Sequence, residues 1–136
     1  PFALACVASV KILRREASVK WAMREEPENV NDSGWRLYSE DDTPEFLESP
    51  SSMQIANFNT VGSLFPVVCL LYFQPVGSEY MLVKDVEDDS LHWYDYNTLE
   101  DGELSPLVVD DAFWARYWDQ WEAESERVHQ LLYSDE

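Results

Sequence analysis

The segment from Asp110 to Tyr133 constrains the architecture of this chain more than any other. Trp114, Tyr117, Trp118, Trp121, Val128, Leu131 and Leu132 recur there at three- and four-residue steps, the repeat that lines up side chains on one face of an α-helix. Asp119, Glu122, Glu126 and Gln130 fall on the opposite face. Asp110 or Asp111 is placed to cap the N-terminus, where negative charge also suits the helix dipole. A helix of about six turns with such a stripe needs an apolar surface to lie on, because packing supplies most of its stability. The rest of the chain must build that surface.

Its patterning predicts a sheet. Residues 4–13 read as a strand running into a short turn or helical piece. In residues 18–25 strict alternation sets Val19, Trp21 and Met23 on one face and Lys20, Ala22 and Arg24 on the other, as a half-buried strand requires. Residues 26–34 gather Pro, Asn, Asp, Ser and Gly and read as a loop, followed by a short strand over 35–38. Thr43 and Pro44 open a short helix as N-cap and first residue. A strand follows over 53–58, ending near Asn57, and Asn59 is placed to cap a short helix that stops before Pro66. The apolar run 67–73 is ambiguous by periodicity, and its β-branched and aromatic content favours a buried strand. Pro75 to Ser78 is a turn, and the strands 79–86 and 91–96 form a hairpin across an acidic turn. Residues 97–106 read as a polar loop. The fold expected is α+β: a mixed or mainly antiparallel sheet of roughly five to seven strands, with short helices and the long C-terminal one. Residues 1–136 are read as a single domain, a size that holds a real core without staples.

Charge narrows the function. The net charge is −18, and six of the nine basic residues lie in the first 36 positions against five acids. The remaining hundred residues hold three basic and 22 acidic ones. Such a field costs some stability through self-repulsion and suits solubility or a basic partner. Nucleic acid is excluded as a partner, since phosphate binding needs the opposite sign. No apolar run approaches the length of a membrane span, so no membrane partner is expected. No secretory leader is visible, and the cytoplasm is the default compartment. A periplasmic location after cleavage of a leader stays open, because the chain begins at Pro1 rather than Met. Cys6 and Cys69 sit in apolar contexts and read as reduced core thiols rather than a disulfide.

No catalytic constellation is legible. His92 falls in a strand and His129 late in the terminal helix. Glu126 and His129 have the Glu-x-x-His spacing of carboxylate-bridged metal bundles, without the second copy such sites need. Asp85, Glu87 and Asp89 imitate the start of a calcium loop, but Ser90 and Tyr96 occupy the positions that require Gly and Glu. With four glycines in the chain, no phosphate-binding loop or nucleophile elbow is present. A non-enzyme without cofactor or metal is expected.

The run Met23-Arg24-Glu25-Glu26-Pro27, followed by Asn31-Asp32-Ser33-Gly34-Trp35-Arg36, resembles the signature of the immunity protein 33 family of bacteria. An opening Cys-Val-Ala-Ser-Val-Lys strand, Ser-Glu-Asp-Asp after the Trp, a later Phe-Asn-Thr, Pro66 and the Pro-Val-Gly-Ser turn extend the resemblance over residues 4–84. Residues 85–136, an acidic hairpin and the aromatic helix, lie outside it. The resemblance implies a protein that binds and neutralises a cognate toxin by occluding its active site. It carries no catalytic residues. Arg24, Glu25, Asp32, Ser33, Gly34 and Trp35 match the family motif and are expected to be structural. Asp32-Ser33-Gly34 suits a turn, Trp35 anchors it, and Arg24 pairs with Asp32 or Glu25. Partner contact is assigned to the acidic loops, Asp85, Glu87, Asp88 and Asp89 in one and Asp95, Glu100, Asp101 and Glu103 in the other. The partner they imply has a basic surface. The rival readings are an acidic regulatory module with a housekeeping partner, and a small hydrolase with an unrecognised carboxylate site.

Overall fold

In chain order the elements are β1 (Ala5–Ser9), α1 (Val10–Leu13), β2 (Val19–Arg24), β3 (Asp32–Ser39), α2 (Pro44–Leu47), β4 (Met53–Asn57) and α3 (Phe58–Leu64). A 3-10 helix (Pro66–Leu71), β5 (Glu79–Lys84), β6 (Leu91–Glu100), β7 (Glu103–Pro106) and α4 (Asp111–Tyr133) complete them. The computed structural model describes residues 4–100 and 103–133. Its seven strands form one mixed sheet in the order β4-β1-β3-β2-β5-β6-β7. The β1–β3 pair is parallel and the others are antiparallel. With the short helices and the long terminal one, this is the expected α+β class.

Local chemistry explains most element boundaries. Ser9 accepts from the Lys11 amide and turns β1 directly into α1. Thr43 caps α2, with Pro44 at its first position. The cap of α3 is Asn57, whose side chain accepts from the Asn59 amide at 2.9 Å. The expected cap, Asn59, thus lies inside the helix, because the extended backbone at the end of β4 already supplies the capping geometry one step earlier.

Three other expectations are corrected. The apolar run after Pro66 is a 3-10 helix, not a strand. Val68 and Leu71 are its buried residues, three positions apart, which matches that helix's repeat. Its amides bond locally, Val68 to the Phe65 carbonyl and Tyr72 to that of Cys69. In β2 the pairing with β3 slips by one residue between Val19 and Trp21. This bulge sets Val19 and Ala22 on the same side, both nearly fully buried, and turns Trp21 to the other. Finally, residues 97–100 and 103–106 are strand rather than loop: β6 runs on to Glu100 and pairs with β7 at the sheet edge, where charged residues are tolerated and useful.

The core lies on one face of the sheet. Ala8, Ala22, Trp35, Leu37, Tyr80, Leu82 and Trp93 project from the strands onto Ile12 of α1, Phe58 and Val61 of α3, and Val68, Leu71 and Tyr72. Cys6 joins this core; both cysteines are free thiols, and burial pushes Cys6 up to about 12. Helix α4 packs outside that layer. Asp110 caps it through the Phe113 amide, and Phe113, Tyr117 and Val128 are buried. The Tyr117 hydroxyl donates to the Cys69 carbonyl at 3.0 Å, and the Phe73 ring meets Tyr117 edge-on. The Tyr72 hydroxyl donates to Glu124 and accepts from the Leu4 amide. The aromatic stripe is wider than the surface beneath it: Trp114 and Trp118 stack on each other and stay in solvent. Among the described residues no helix is long and apolar enough to cross a membrane.

The other face of the sheet is open. Strand register carries two continuous rows across it. One runs Tyr38, Trp21, Met81, Tyr94, Pro106 from β3 to β7. The second runs Ile55, Val7, Arg36, Met23, Glu79 from β4 to β5.

Candidate partner interface

The segment that carries the motif residues crosses from the end of β2 to the start of β3. Asp32 opens β3, so Asp32-Ser33-Gly34 is strand rather than the turn expected of it. The local bonding still follows turn chemistry, because the Asp32 carboxylate accepts from the Gly34 amide two residues on, at 2.8 Å. It also accepts from the Glu28 amide at 2.9 Å. The two terminal guanidinium nitrogens of Arg36, Nη1 and Nη2, donate to it, at 3.1 and 2.9 Å. That bidentate pair, with the two amides, holds the Asp32 carboxyl down to about 2 despite partial burial. Arg36 also donates to Glu25 at 3.1 Å, and its pKa is raised, chiefly by the Asp32 bond.

The cation that pairs with Asp32 and Glu25 is therefore Arg36, not Arg24. Parity explains the exchange. Arg24 shares the core-side face of β2 with Ala22, where its guanidinium donates to the carbonyls of Ser33, Tyr72 and Gln74. Arg36 lies opposite Met23, on the open face. Trp35 is fully buried, and its indole N–H donates to the Tyr72 carbonyl at 3.0 Å. Ser33 accepts from the Trp35 amide. Gly34 is required by geometry: its φ is +92°, and a Cβ there would sit 2.2 Å from the Glu25 carbonyl oxygen. Together these contacts brace the β2–β3 connection against the segment that follows the 3-10 helix.

The acids assigned to partner contact fall into two separated groups. Asp85, Glu87, Asp88 and Asp89 make the turn between β5 and β6. Asp85 accepts from the Glu87 amide, and Asp88 accepts from the Ser90 amide and hydroxyl. The Ser90 bonds lower the Asp88 pKa. Asp89 takes a positive φ of 60° to close the turn. Glu87, Asp88 and Asp89 are exposed, and Lys84 approaches Asp89 at 3.8 Å in solvent, where such a pair is worth little. The second group does not form the loop expected of it. Asp95 lies in β6 opposite Tyr80, on the core side, and adds to the burial that pushes Tyr80 up to about 12. Glu100 ends β6, Glu103 begins β7, and Asp101 lies outside the described residues. Asp95 lies midway along β6, and the ten residues of that strand, about 30 Å, set the turn apart from Glu100 and Glu103.

His92 contacts the Ser90 hydroxyl at 2.7 Å beside the turn. Among the described residues no three His, Cys, Asp or Glu side chains are grouped to hold a metal ion. Sequence reasoning missed Arg36 as the paired cation, and it missed the open-face row of Trp21, Met81 and Tyr94. The one available signal was the alternation in residues 79–84 and 91–96, which sets Met81 and Tyr94 opposite the buried Leu82 and Trp93.

A family model described as the Immunity protein Imm33 domain matches residues 6–92, the span from β1 to the first residues of β6. No curated protein and no solved structure matches the chain.

Proposed function

The chain belongs to the Imm33 immunity protein family, and on that premise we propose that it binds a cognate bacterial toxin and neutralises it by occluding the toxin's active site. The observation that carries this reading is the family match, which spans the braced β2–β3 segment and reaches the acidic turn between β5 and β6. Its activity is binding, with no turnover of its own, and it acts in the cytoplasm of the cell that makes the toxin. The net charge of −18 and the exposed carboxylates of Glu87, Asp88 and Asp89, with Asp85 at the root of the turn, favour a toxin with a basic surface. Glu103 at the β7 edge and its neighbours Glu100 and Asp101 add to the same field, and Asp95 contributes from within β6. Steering of this kind raises association rates up to about 10⁸–10⁹ M⁻¹s⁻¹ at low salt. Affinity then comes from a few buried anchors rather than from the charges. The motif residues Arg24, Asp32, Ser33, Gly34 and Trp35 support the surface without forming it, and Glu25 acts through its pair with Arg36 at the border of that support.

The test is co-expression with the product of the adjoining gene, which the reading predicts to encode the toxin. We expect a complex that survives affinity purification, and growth restored in cells that the toxin alone arrests. Recovery of the chain without the toxin, with no rescue of growth, would contradict the reading.

A further inference from the structure

A sheet that packs helices on one face usually shows polar side chains on the other. Here the middle of the exposed face is apolar and aromatic instead. Trp21 is 38% exposed, Tyr96 42% and Ile55 80%, and Tyr38, Met23, Met81, Val83 and Tyr94 lie between them, each half-buried. The Trp21 and Tyr96 rings meet edge-on at 5.7 Å, so the two large aromatics are held in place before any partner arrives. Aromatic and Met side chains of this kind are the ones enriched where proteins bind one another. From β4 to β6 the platform spans five strand spacings, about 24 Å, close to the roughly 28 Å span of a patch that buries about 800 Å².

Charge decides the occupant. Arg36, the cation set into this face, is already paired with Asp32 and Glu25. Glu25 and Glu79 stand at one border. At the other, Asp85 and Glu87 flank a shallow concavity over Val83, His92 and Tyr94, and its Lys84 lies beside Asp89. An apolar centre with an acidic rim complements a patch whose apolar centre has a basic rim. A second copy of this chain would bring the same carboxylates against these, and like charges across an interface cost several kcal/mol.

We propose that this open face, centred on Trp21, Met81 and Tyr94 and rimmed by Glu25, Glu79, Asp85 and Glu87, is the seat of the toxin, which meets it with a folded surface of basic rim. The proposal rests on the toxin-binding reading and adds where the toxin sits. The probe is the toxin domain encoded by the neighbouring gene. Trp21→Ala and Val83→Lys each weaken binding at least about thirtyfold, mainly through faster dissociation. Trp118→Ala, on the far layer, keeps parental binding. Hydrogen exchange of the unmodified complex adds a readout that needs no variant: residues 21–23, 79–83 and 92–96 gain protection. The proposal is overturned if a well-folded Trp21→Ala or Val83→Lys binds like the parent, if protection falls on α4 instead, or if the chain alone forms a dimer that buries this face. Failure of the parent to bind the toxin at all overturns the underlying reading, and this proposal with it.

Discussion

Asp32 and Arg36 show how one paired charge ties the motif to stability. The folded-state carboxyl lies near 2, below its ordinary value of 3.8, so its contribution is present at neutral pH and down to about 4. It disappears as the pH falls from there through 2 and the carboxylate is protonated. The shift corresponds to about 2 kcal/mol, and Asp32 is buried enough for that figure to count. Asp32→Asn should therefore lower stability at pH 7 by about 2–4 kcal/mol, since it also leaves a buried guanidinium poorly matched. It should also flatten the fall in stability between pH 4 and 2, as measured by urea unfolding at each pH. Much of this cluster was legible in the sequence. Asp two residues before Gly, with Trp next, announced a constrained backbone and an anchored ring, and Gly34 does take positive φ. The identity of the cation was not legible. Whether Arg24 or Arg36 meets Asp32 depends on which face of a bulged strand each occupies, and composition does not report that.

Helix α4 shows the same limit for an entire element. Its existence and length followed from periodicity and its cap was narrowed to Asp110 or Asp111, of which the structure uses Asp110, but its rotation did not follow. Aromatics cover so wide an arc that several orientations bury a comparable area. The observed one buries Phe113, Tyr117 and Val128 and exposes Trp114 and Trp118. Val128→Ala should cost about 1–3 kcal/mol through the void it leaves, while Trp118→Ala should change stability by less than about 0.5 kcal/mol. Thermal melts of the two variants check the orientation directly, and the reverse ranking would mean a helix turned by about a quarter turn. The segments misread elsewhere share a cause. An apolar run such as 67–73 says that it is buried, not how its amides are paired. A polar run such as 97–106 says that it is solvated, which an edge hairpin also is.

For the molecule as a whole, the lopsided charge was visible at once, but its placement was not. The acidic turn and the pair Glu100 and Glu103 stand at opposite ends of β6, with Asp95 between them on the core side, so the acids do not make one surface. The turn between β5 and β6 borders the open aromatic face, and this makes it the group able to guide a partner onto that face. Sheet order was beyond sequence reasoning, because β1 pairs with β3 and β4 rather than with its neighbour β2, a choice made by long-range packing. The central claim is that this protein works by capturing a basic toxin, with its carboxylates setting the speed of encounter. Stopped-flow association with the toxin domain of the neighbouring gene tests it most directly, comparing the parent with Asp88→Ala/Asp89→Ala over a range of salt. The account predicts association slowed by about three- to tenfold at low salt, with the difference vanishing as screening increases. Equal rates at low salt, or association indifferent to salt in the parent, would contradict it.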